Sequence, residues 1–124
     1  MRKVFICGPM TGLPEFNYPA FFAAEETLRE LGFRVFNPAR SLDGTADAGR
    51  TDLPWEFYLS KSIPMLCAAD MVLVLDGWED SKGARLELEI ARQLRKPLQT
   101  VGNLRASVWL AREVTKRRDD EVTR

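Results

Sequence analysis

The chain has 124 residues, with 18 Lys and Arg balancing 18 Asp and Glu, no histidine and two cysteines. That length suits about one domain with a real core, and a net charge of zero provides no field toward a nucleic acid polymer or an anionic membrane. The lack of histidine excludes Ser-His-Asp and Cys-His chemistry and removes the commonest zinc ligand, so carboxylates, hydroxyls and backbone dipoles must carry any catalysis.

In chain order, residues 4–7 form a short continuous apolar run ended by Gly8-Pro9, the pattern of a buried strand and a tight loop. Pro19 opens a helix capped by Asn17 or Tyr18, with Phe21, Ala24, Leu28 and Leu31 at helical spacing and Gly32 at its end. Residues 33–36 are the second strand, closed by Asn37-Pro38. Residues 39–53 lack periodicity and are expected to form a mobile loop. Asp52 and Pro54 start a helix over residues 55–68, which Pro64 should kink or divide near Ser60. Residues 71–75 are the clearest strand. A helix over 81–94, a strand over 97–101 and a final helix from Leu104 to about Arg117 follow.

Apolar strands alternating with helices imply a parallel sheet covered on both faces. The expected architecture is a single flavodoxin-like α/β domain over 1–124. It has four to five parallel strands in the order 2-1-3-4, helices on both faces and a charged C-terminal tail over 117–124. Lys116, Arg117 and Arg118, followed by Asp119, Asp120 and Glu121, read as a solvated helix end. Cys7 and Cys67 lack metal-ligand spacing and read as small core residues of a reduced, cytoplasmic chain. The N-terminus is too poor in apolar residues for a signal peptide, and no run approaches membrane length. No metal and no cofactor is expected.

In such sheets ligands bind at the carboxyl ends of the strands, where the winding reverses. That crevice should lie between the loop Gly8, Pro9, Met10, Thr11, Gly12 and the turn Asp76, Gly77, Trp78. The first loop is neither a dinucleotide nor a triphosphate motif. Its glycines can bring backbone close to a sugar or phosphate, or can simply make a strand-to-helix turn. Ser81, with Asp80, Lys82 and Gly83, opens the next helix and reads as an N-cap or as a phosphate seat. Trp78 reads as a base-stacking or a packing aromatic.

Glu87 is the unusual residue. At ~100° per residue it points into the face formed by Ala84, Leu88, Ile90, Ala91 and Leu94. A carboxylate there is costly unless paired or needed. One reading is an ion pair with Arg2, Arg34 or Arg40. The other is a partly desolvated nucleophile, kept ionised by the helix N-terminus about one turn away.

Cys7-Gly8-Pro9-Met10-Thr11-Gly12, then Asn37-Pro38, residues 69–75, and Gly77-Trp78-Glu79-Asp80-Ser81-Lys82-Gly83-Ala84 with Glu87 downstream together resemble the nucleoside 2-deoxyribosyltransferase superfamily. The likeness covers residues 3 to 101 and is greatest to short phage and bacterial members. It implies that Glu87 attacks C1′ of a deoxyribosyl group, releases the base, and passes the sugar to another base or to water. Ser81 stands where the related deoxynucleoside 5′-monophosphate N-glycosidases carry a phosphate-contacting serine. The partner implied is a small nucleotide or nucleoside. A homodimer or higher homo-oligomer is also implied, in which Asn103 or Ser107 enters a neighbour's site. Two positions depart from the pattern. Phe5 replaces a tyrosine whose hydroxyl touches the glutamate. Ser62 replaces an aspartate that handles the leaving base, a task left to Asp76, Glu79 or Asp80. Those departures keep open a non-catalytic nucleotide-binding or sensing module of the same fold.

Overall fold

The computed structural model describes residues 2–106. Four strands, β1 (Lys3–Cys7), β2 (Arg34–Phe36), β3 (Met71–Val74) and β4 (Leu98–Thr100), alternate with three helices, α1 (Tyr18–Glu30), α2 (Trp55–Ala68) and α3 (Lys82–Gln93). A further helix starts at 101 and is described to 106. The strands form one sheet in the order β2-β1-β3-β4, and every pairing is parallel. This is the flavodoxin-like arrangement expected, with four strands among the described residues. The expected helix beyond 106, the expected charged tail and Ser107 lie outside those residues.

The unbroken apolar runs are explained by burial on both faces. Val4 and Ile6 of β1 pack with Phe21, Ala24 and Leu28 of α1. Phe5 and Cys7, pointing the other way, pack with Leu66 of α2 and Ala84, Leu88 and Ala91 of α3. β3 alternates likewise, Leu73 toward the first cluster and Val72 and Val74 toward the second.

β1 lies between β2 and β3, so the chain winds one way through α1 and the other way through α2. The crevice therefore opens at the carboxyl ends of β1 and β3. There the Leu75 N–H donates to the Cys7 carbonyl at 2.8 Å. A Cβ on Gly8 would stand 2.8 Å from Leu75 Cβ, so only glycine lets the two strand ends approach this closely.

Three local expectations are corrected. α2 runs unbroken through Pro64. The proline and Ser60 sit on the exposed side of the helix, where water can take the carbonyl that lost its partner. Asn17 makes no side-chain cap on α1, because its backbone is left-handed and its amide donates instead to the Pro9 carbonyl at 2.8 Å. Cys67 is exposed rather than in the core. Pro38–Arg40 form a short 3-10 helix and residues 41–49 successive turns, with Arg50 paired to Asp47 and Asp52, both at 3.0 Å.

Candidate functional site

The crevice is a cavity of about 870 Å³, within the range of small-molecule sites. Gly8, Pro9, Met10, Thr11 and Gly12 line it from the β1 loop, and Asp76, Gly77, Asp80, Ser81, Gly83 and Glu87 from the β3–α3 side. The sequence-predicted loop and turn thus meet around one space. Trp78 is the exception. Gly77 turns the chain at φ +87°, and Trp78 packs against the core cluster beneath α3, a packing aromatic off the cavity wall. Glu79 is also off that wall, as is Asn103.

Glu87 sits on α3 in the stripe Ala84, Glu87, Leu88, Ala91, all buried. It is 7% exposed. Among the described residues no lysine or arginine forms an ion pair with it. Arg40, one of its possible partners, bonds Glu25. The contacts of Glu87 are neutral donors. Cys7 Sγ lies 3.6 Å from Oε1, and the Ser62 hydroxyl also hydrogen-bonds the carboxylate. Burial pushes its pKa up to about 7, against the lowering effect of those two bonds. Burial therefore outweighs its two hydrogen bonds, and the group is near its midpoint at neutral pH.

Several wall residues carry no local signal in the sequence. Trp55, Tyr58 and Leu59 come from α2, and Phe16, Asn17 and Tyr18 from the entrance to α1, while Ser62, also on α2, was singled out by the resemblance alone. Lys82 Nζ stands 4.2 Å from the centre of the Trp55 ring. A Cβ on Gly83 would lie 3.3 Å from Trp55 Nε1. Glu15, Phe16 and Asn17 are consecutively left-handed, at φ 52°, 56° and 57°. Such backbone costs roughly 1–2 kcal/mol per residue. It is held by the Asn17–Pro9 bond and by Phe16 packing 5.6 Å from the Tyr58 ring. At the mouth of α3, Ser81 Oγ accepts from the Ala84 N–H at 3.2 Å and so caps the helix.

Among the described residues, no group of three His, Cys, Asp or Glu could hold a metal ion, and no helix is long and apolar enough to cross a membrane. Chemically, the described residues offer the cavity the desolvated carboxylate of Glu87, further carboxylates from Asp76 and Asp80, and one cation, Lys82, in the first turn of α3.

The model of a domain of unknown function, DUF4406, matches residues 2–100. No curated protein matches the sequence at a significant level. Among solved structures, the 2-deoxyribosyltransferase of the psychrotolerant bacterium Bacillus psychrosaccharolyticus is similar, with a TM-score of 0.60 and 25% sequence identity. The match covers 79% of this chain and 70% of that one.

Proposed function

The chain belongs to the DUF4406 family, and from that premise we propose that it cleaves the N-glycosidic bond of a nucleoside or nucleotide, with Glu87 as nucleophile. One observation carries this reading. Glu87 is buried, has no cationic partner among the described residues, and faces a cavity at the switch point of a fold shared with a 2-deoxyribosyltransferase. A structural glutamate so placed would carry a counter-charge or stay protonated well above neutral pH, and among the described residues Glu87 does neither. A carboxylate nucleophile needs to be poorly solvated yet able to ionise, which a midpoint of about 7 permits at neutral pH and above.

In the proposed reaction a Glu87 oxygen bonds to C1′ while the C1′–N bond breaks, and its electron pair leaves with the base. Asp76 and Asp80 line the same space, and one of them hands a proton to the departing base and recovers it from the water or second base that attacks next. Water or a second base then attacks C1′ from the vacated side and frees Glu87, as in a retaining glycosidase. Ser81 and Lys82, at the N-terminus of α3, suit a 5′-phosphate on the substrate. The active species is proposed to be a homo-oligomer of a single-domain, cytoplasmic protein.

The test is a panel of deoxyribonucleosides, ribonucleosides and their 5′-monophosphates, with and without an acceptor base. Released base is followed by chromatography, and Glu87→Ala serves as the blank. Release at blank level for every substrate would sink the proposal. A second reading is favoured by Phe5, which is fully buried and brings no hydroxyl to Glu87. In it the protein binds nucleotides without turnover, and ligands raise its melting temperature while no base appears.

A further inference from the structure

Cys7 is fully buried at the end of β1. Its Sγ lies 3.6 Å from Glu87 Oε1 and 3.5 Å from the Ala84 carbonyl oxygen. Burial, with the adjoining Glu87 charge, pushes the thiol's pKa well above its usual value, so it remains S–H. One proton thus stands between two acceptors, and an ionised carboxylate is the better of them. Phe5, two residues earlier on the same face of the strand, has no donor to offer.

We propose that Cys7 positions Glu87: its S–H donates to Oε1 of the carboxylate form and turns to the Ala84 carbonyl when Glu87 takes up a proton. This rests on Glu87 being the nucleophile of the proposed reaction. The thiol aims the attacking oxygen and favours its ionised form. The other groups around Glu87 are the Ser62 hydroxyl from α2, Asp76 and Asp80 after β3, Lys82 on α3, and the phenols of Tyr18 and Tyr58 across the cavity. All of them stay in place in the variants below.

The test is an infrared titration of the full chain. The protonated carboxyl band of Glu87 is assigned by its loss in Glu87→Gln and followed against pH in the native protein, Cys7→Ala and Cys7→Ser. Loss of one weak donor should move the midpoint up by roughly half to one pH unit in Cys7→Ala. Cys7→Ser should return it to the native value or below. A role in packing alone has the opposite sign, because water entering the vacated space would ease the burial of Glu87 and lower the midpoint. An unchanged or lowered midpoint in Cys7→Ala overturns the proposal. Should Cys7→Ala not fold, the native protein decides by itself. Its Cys7 S–H stretching band must shift with the Glu87 titration, and a band indifferent to that titration overturns the proposal. In kinetics, the acid limb of kcat should follow the infrared midpoint while KM holds. An infrared shift as expected with no base released by any protein would support the thiol–carboxylate coupling and overturn the nucleophile reading.

Discussion

Glu25 and Glu87 are buried to nearly the same degree, at 5% and 7% exposed, on opposite faces of one sheet. Each lies in the core-facing stripe of its helix. Arg40, from the turn after β2, donates from Nε to both oxygens of Glu25 at 3.0 and 2.9 Å and brings a second nitrogen to 2.8 Å. Arg29 adds a contact at 3.7 Å. Burial raises the pKa of Glu25, but the bonds and charge of Arg40 outweigh it and leave the group below its ordinary value. Around Glu87 the donors are a thiol and a hydroxyl, burial prevails, and the pKa rises to about 7. Similar exposure thus goes with opposite electrostatics: Glu87 is the more deeply desolvated of the two, and the fold delivers a cation to Glu25 but not, among the described residues, to Glu87.

The largest expected effect would break this comparison most directly. Glu87→Ala should lower base release by about 10⁴–10⁶-fold, the scale on which loss of a nucleophile acts, while thermal stability holds or rises. Glu25→Ala should leave turnover intact and reduce stability by about 2 kcal/mol, the worth of charged hydrogen bonds. Urea unfolding and single-turnover assays on both variants check this. A comparable activity loss in Glu25→Ala would show that the two glutamates are not functionally distinct.

The second prediction concerns pH. The folded pKa of Glu87 is raised to about 7 from an ordinary 4.5, so the native state keeps a proton that the unfolded state has released. Its contribution is fully present below the ordinary value and is lost as pH rises through about 7, a change of about 3 kcal/mol in all. Glu25 has the opposite sign, its folded pKa being lowered. Its contribution is present above the ordinary value and is lost as pH falls through the lowered one. Unfolding of Glu87→Gln and Glu25→Gln across pH should therefore diverge from the native protein at opposite ends of the scale. Base release should rise with pH with an apparent midpoint near 7.

Ser62→Ala sharpens the contrast more modestly. It removes a neutral donor whose bond lowers the pKa of Glu87, so the acid limb of turnover should move up by about one pH unit or less. An unmoved limb would leave Ser62 as packing only. The smallest effect belongs to Ser81→Ala. Loss of its cap should cost about 1 kcal/mol of stability. Calorimetry should also show weaker binding of a 5′-monophosphate but not of its nucleoside. Equal losses for both ligands would reduce Ser81 to a helix cap.

Much of this was legible locally. Glu87 fell in the buried stripe because helical period alone sets which residues share a face. The capping of α3 by Ser81 was readable for the same reason, since its bond to the Ala84 N–H spans a single turn. Glu25 carried the same signal, lying between Ala24 and Leu28 in a stripe read as purely apolar. Trp78 was open between stacking and packing because its neighbours in sequence line the cavity, and after the left-handed turn at Gly77 it packs against the core.

The sequence by itself determined the element order, the parallel sheet and the buried carboxylate on α3, because periodicity and caps act over a few residues. Only the tertiary structure decided how the two glutamates differ. Cys7 reaches Glu87 across 80 residues of chain, and Arg40 reaches Glu25 across 15. Which donor arrives depends on strand order, register and the rotation of each helix against the sheet. No local window encodes those, and a cation on one face with only neutral donors on the other is their result.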